Sequence, residues 1–137
     1  MCKDMSSLGN NFHEILAPIA IGELIDKITI LEIKKKHMKE SRLNNVEKEL
    51  NLLKCILQDE NLEIRQDLVN DLKNINNSLW EIEDRIREKE CQQEFDNDFI
   101  ELARSVYKTN DKRSSIKREI NQKYNSKFIE EKFYNNY

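Results

Sequence analysis

Glu23 and Asp26 lie three residues apart, and Glu81 and Asp84 repeat that spacing. On a helix, residues i and i+3 share a face. Each pair therefore projects two carboxylates together, and hard oxygen donors of this kind suit Mg²⁺ or Mn²⁺. A plainer account stands beside the metal reading. In a chain where 36% of residues are charged, such spacings arise by chance. Glu81 with Arg85 and Glu83 with Arg87 are ordinary i,i+4 pairs on a solvated face.

A second set is less acidic. Tyr107, Asn110, Ser114, Lys117 and Asn121 step by three and four, as core positions do, with Arg104, Asp111 and Arg113 beside them. Arg and Lys there can neutralise an anionic ligand while Tyr and Asn orient it, which makes Arg104, Tyr107, Asn110, Arg113 and Lys117 the candidate ligand-binding residues. The same stripe can instead be a buried hydrogen-bond network that sets register between helices or subunits.

The other reactive side chains offer less. Lys34 to Lys36 with His37 and Lys39 form the longest basic run, which suits the C-terminal dipole of a helix better than an anion. His13 and His37 lack zinc-type spacing, and no serine has a nucleophile's neighbours. Cys2, Cys55 and Cys91 are odd in number and widely spaced, so they spell neither a disulfide framework nor a zinc site. Cys55 reads as a small core hydrophobe, and a reducing cytoplasm fits this usage. Met1 to Asn11 is polar, so no signal peptide is expected. The apolar stretch from Ile15 to Ile33 is interrupted by Glu23, Asp26, Lys27 and Glu32, which argues against a membrane span.

The elements that must position these residues follow from composition and periodicity. The 137 residues include two glycines and one proline. A β-sandwich or barrel needs many Gly/Pro turns, and a Rossmann or P-loop fold needs a Gly-rich phosphate loop, so both are excluded. The net charge of −3, with both signs interleaved, gives no general attraction to nucleic acid. The expected fold class is all-α, one helical domain over residues 1–137.

Ile21, Leu24, Ile28 and Leu31 line one face of a first helix ending near Lys39, and Asp26, Ile30 and Ile33 share the opposite side. Apolar residues on both sides predict a helix buried on both. A turn over Ser41–Asn45 leads to a second helix carrying Val46, Leu50, Leu53 and Leu57. Leu68, Leu72, Ile75, Leu79, Ile82 and Ile86 alternate steps of four and three, the coiled-coil-like seam of a third helix from about Leu62 to Glu90. Asp96 can cap a fourth, with Phe95 and Ile100 at staple spacing. Asn110–Asp111 leaves open one long helix or two. Residues 1–14 read as a loose arm. Residues 126–137 form an aromatic-rich tail, part of which should pack on the bundle or on a second subunit.

Several blocks resemble a small family of uncharacterised bacterial and phage proteins. They are the run Ile21 to Lys34, the run Leu79 to Arg87, and Phe99 to Tyr107 followed by Asn110, Asp111, Arg113, Ile116 to Arg118 and Asn121. A closing segment has Glu130, Glu131, Lys132 and Tyr134. The resemblance implies a helical protein of this size and brings no established activity.

The resulting expectation is an elongated antiparallel bundle of four main helices. So thin a core makes a homodimer the default, acting as an interaction or regulatory module with a possible protein partner. The alternative is a Mg²⁺- or Mn²⁺-dependent phosphohydrolase. Its carboxylates would be Glu23, Asp26, Glu81 and Asp84, arranged as in the all-α nucleoside-triphosphate pyrophosphohydrolases. Arg104, Arg113 and Lys117 would receive the phosphates of a nucleotide or similar ester. A third reading is a chorismate-mutase-like enzyme, in which the same cations grip a dicarboxylate, although no arginine precedes Arg42.

Overall fold

The computed structural model describes residues 12–137. Among them are four helices, α1 (Ile21–His37), α2 (Glu40–Asp59), α3 (Gln66–Cys91) and α4 (Asn97–Lys123), and no strand. The two later helices, of 26 and 27 residues, extend about 40 Å each.

Helix α1 is central because its sequence is apolar on two sides. Leu24, Ile28 and Leu31 pack with Val46 and Leu50 of α2. Ile25 packs with Leu68 and Leu72 of α3 and Ile120 of α4. Asp26 lies near Arg113 and Gly22 near Asn121, so α1 runs antiparallel to α4. Asp26 reaches Asn76 while His37 reaches Trp80, so α1 runs parallel to α3. Helices α3 and α4 form an antiparallel hairpin. The Arg65 N–H donates to Tyr124 Oη at one end, and Lys89 donates to Asp96 at the other. Leu68 and Leu72 of the α3 seam are buried, whereas Ile75, Leu79, Ile82 and Ile86 are half-buried.

Several boundaries differ from expectation. The break after α1 falls at Met38–Lys39, and Ser41–Asn45 is helical. Neither Lys39 nor Arg65 caps its helix through a side chain, so side-chain capping signals could not locate these starts. Helix α3 begins at Gln66 rather than Leu62. Asp96 does cap α4, accepting from the Phe99 N–H at 3.0 Å. Phe95 meets the Phe99 ring edge-on at 5.2 Å, while Ile100 stays half exposed. Helix α4 is continuous through Asn110–Asp111. Glycine-poor turns are made by Asn61, Gln93 and Asn125 at φ between 53° and 56°, a region that Asn tolerates better than most residues.

The tail beyond Tyr124 doubles back along α4. It is held by ion pairs more than by its rings, since Phe133, Tyr134 and Tyr137 remain exposed. The expected arm over residues 1–14 lies mostly outside the described residues, and residues 12–14 carry no regular structure. Cys55, expected as a small core hydrophobe, is half-buried and disulfide-bonded, so this thiol is not the free one the sequence suggested. Cys91 is free and exposed. No helix among the described residues is long and apolar enough to cross a membrane.

Candidate functional site

Among the described residues, five polar side chains are buried where α1, α3 and α4 meet: Asp26, Thr29, Asn76, Lys117 and Asn121. Asp26 is only 1% exposed. Its Oδ1 accepts from Asn76 Nδ2 and from Arg113 Nε, each at 2.9 Å. Its Oδ2 accepts from Arg113 Nη2, completing a bidentate guanidinium–carboxylate fork. Asn76 gives its other N–H to Thr29 Oγ1, also at 2.9 Å, and Thr29 donates to the Asp26 backbone carbonyl.

Lys117 stands one turn further along α4. Its Nζ donates to Glu23 at 2.6 Å and to Glu130 of the tail at 2.9 Å, and lies 3.7 Å from Asp26. Burial opposes its charge most, but the hydrogen bonds to Glu23 and Glu130 and the nearby negative charges of Asp26 and Glu23 together hold the ammonium above its ordinary value. Hydrogen bonding from Lys117 holds Glu130 below the usual carboxylate range. Hydrogen bonding to Asp26 likewise raises Arg113.

The same region completes the start of α1. A helix leaves its first N–H groups without intrahelical partners, and Ala20 offers no side-chain cap. Asn121 Oδ1 accepts from the Gly22 N–H at 2.6 Å, and Ser126 Oγ accepts from the Ile21 N–H at 3.0 Å. The cap is thus supplied from the far end of the chain. Gly22 is required for the approach: a Cβ there would lie 2.6 Å from the Lys117 carbonyl oxygen and 3.0 Å from Asn121 Oδ1.

Beside this network lies a cleft of about 510 Å³. Its α3 wall carries Asn76, Trp80, Asp84 and Arg87, and α4 adds Asn110 and Arg113. Trp80 is stacked on His37, with centroids 4.6 Å apart. Asn110 accepts from Arg113 at 3.3 Å and also borders a second cleft, between α4 and the tail, where Tyr107 meets Tyr137 edge-on.

Of the sequence-selected residues, the structure brings Glu23, Asp26, Arg113 and Lys117 into one network, with Asn110 at its edge. It leaves others apart. Glu81 is exposed on α3, and Asp84 borders the cleft without joining the network. Arg104 pairs with Glu101 of its own helix at 2.8 Å. Among the described residues, no three His, Cys, Asp or Glu side chains come together in a group that could hold a metal ion. The positive charge that Mg²⁺ or Mn²⁺ would bring to Glu23 and Asp26 is already supplied by Lys117 and Arg113. Those two cations, wanted by the phosphohydrolase and chorismate-mutase-like readings for a substrate, each hold internal carboxylates.

Sequence reasoning missed Thr29, Ser126 and Glu130 as members of the network. Gly22 was the available signal: a glycine inside an apolar helical pattern marks a close backbone approach. Nothing local marked Ser126, whose partner lies 105 residues away.

The chain belongs to the family of unknown function DUF6165, whose sequence pattern matches residues 16–137. No curated protein and no solved structure matches it.

Proposed function

We propose that the chain is an interaction module that works as a homodimer, pairing through the apolar surface where its two terminal segments leave the bundle. One observation carries this reading. The extended segment before α1 holds Phe12, Ile15, Leu16 and Ile19 at 74%, 89%, 83% and 47% exposure. Burying a side chain of this kind is worth about 1.5–3 kcal/mol, and a run of four exposed together marks a contact surface.

The hydrogen bond from Ile21 to Ser126 brings the tail to the same end, so Phe128 and Ile129, also exposed, extend the surface. A second copy supplies a matching face through two-fold symmetry. It would also thicken a bundle whose helix α2 rests mainly on α1. The internal neutralisation of Asp26, Glu23 and Lys117 supports a role carried by the surface rather than by those groups.

Sedimentation equilibrium of the full chain tests the reading. The expected result is a dimer at protein concentrations of about 100 μM, with Ile15→Asn/Leu16→Asn weakening pairing at least about tenfold, or 1.4 kcal/mol. Both positions are exposed, so the variant keeps its helical circular dichroism. A monomer at that concentration, or a dimer indifferent to the substitutions, overturns the proposal.

A further inference from the structure

We propose that the cleft between α1, α3 and α4 is a binding site for a small zwitterion of the amino-acid type. Asp84 would take its ammonium, Arg87 and Arg113 its carboxylate, and an apolar floor its side chain.

The first ground is the balance of charge. Glu83 and Asp84 line the cleft together with Arg87 and Arg113, so the lining is formally neutral. Arg113 is further offset from behind by Asp26. A multiply charged anion such as phosphate meets no surplus of positive charge here. A guest carrying one charge of each sign is matched at both ends. Arg87 is held only loosely by its own partner. The Arg87–Glu83 pair spans 3.7 Å with both side chains more than half exposed, and such surface pairs are worth about 0–1 kcal/mol.

The second ground is that the cleft is built before any guest arrives. Arg113 is fixed by its fork on Asp26 and by Asn110. A guanidinium has five N–H donors, and three of them are used in these bonds. Asn76 has given both its N–H groups to Asp26 and Thr29, so it offers a guest only its carbonyl acceptor. Trp80 is held by the His37 ring. Groups already ordered lose little entropy on binding.

The third ground is the floor. Ile30, Ile33 and Leu79 line the cleft with Trp80, giving an aliphatic or aromatic side chain an apolar surface between the charged ends. A few convergent polar groups over an apolar lining is the usual make-up of a small-molecule site.

Trp80 is the only tryptophan in the chain, so its fluorescence reads the cleft directly. The experiment titrates the full chain with L-leucine and L-phenylalanine. The two halves of leucine, 3-methylbutylamine and 4-methylpentanoate, and inorganic phosphate serve as comparisons. The expected result is a saturable change in emission with an amino acid, at least about tenfold tighter than with either half. Asp84→Asn and Arg87→Gln should each weaken it by at least about tenfold. Both residues are exposed, and unchanged circular dichroism confirms that the variants fold. No saturable change up to about 10 mM, equal binding of the amine alone, or a response to phosphate that exceeds the amino acids would each overturn the proposal.

Discussion

Replacing Arg113 with methionine should cost the protein much of its stability. The substitution keeps most of the side-chain volume and removes the charge. Asp26 then remains 1% exposed with the Asn76 N–H at 2.9 Å and Lys117 at 3.7 Å, having lost both bonds of the guanidinium fork. Breaking a buried ion pair from one side typically costs about 3–5 kcal/mol. Because Lys117 stays nearby, the lower end, about 3 kcal/mol, is expected. For a domain whose total stability is about 5–15 kcal/mol this is a large fraction. Urea unfolding followed by circular dichroism should show this deficit at neutral pH. Asp26→Asn combined with Arg113→Met leaves no buried charge uncompensated, and should be more stable than Arg113→Met alone by at least about 1 kcal/mol. A single variant within about 1 kcal/mol of the parent, or two substitutions that simply add, would refute the account of Asp26 and Arg113 as an interdependent pair.

Two further perturbations test the capping end of the bundle. Gly22→Ala should destabilise by a net of up to about 2 kcal/mol, since overpacking costs about 1–3 kcal/mol and helix propensity returns about 1. The clash is with the Lys117 backbone carbonyl, which cannot swing aside, and a stability gain on denaturation would contradict the close approach. Glu130 sits below the free-glutamate value of about 4.5 because Lys117 bonds it. Its contribution is therefore complete above that value and is lost as pH falls through the lower folded one. Protection of the amides in residues 124–137, corrected for the slower intrinsic exchange in acid, should fall on such acidification, and at neutral pH in Glu130→Gln. Protection unchanged in both cases would show that the tail is held by other contacts.

Much of the fold is visible in spacing alone. The steps that place Leu68 and Leu72 on one face, and Leu24, Ile28 and Leu31 on another, correspond to the two buried clusters. The polar seam on α4 marked Lys117 and Asn121, which are buried, and the structure gives that seam its partners in α1 and the tail. Spacing says which residues share a face but not what the face meets. Glu23 and Asp26 therefore read as a metal pair, although α4 brings them two cations. Arg104 read as part of the same cationic group, yet it pairs with Glu101 three residues before it. The break at Met38–Lys39 left no mark because neither glycine nor proline nor a capping side chain makes it.

The buried network sets position more than it adds stability. Apolar clusters such as Ile25 with Leu72 and Ile120 tolerate small changes of shape, so they hold α1 against α4 without fixing its height strongly. The ion pairs do fix it. A slip of one turn, about 5.4 Å, would set Ile30 or Gly22 in the place of Asp26 and strand a carboxylate away from Arg113. It would also uncouple the Gly22 N–H from Asn121. Arg113 thus has two duties, register on its Asp26 side and a wall of the cleft on the other. Arg113→Met should disturb fold and cleft together, whereas Asp84→Asn touches the cleft alone. If Arg113→Met loses stability as worked above while Asp84→Asn keeps full stability and loses only the Trp80 response, the two duties are separable, and the polar network serves the site by holding the helices that line it.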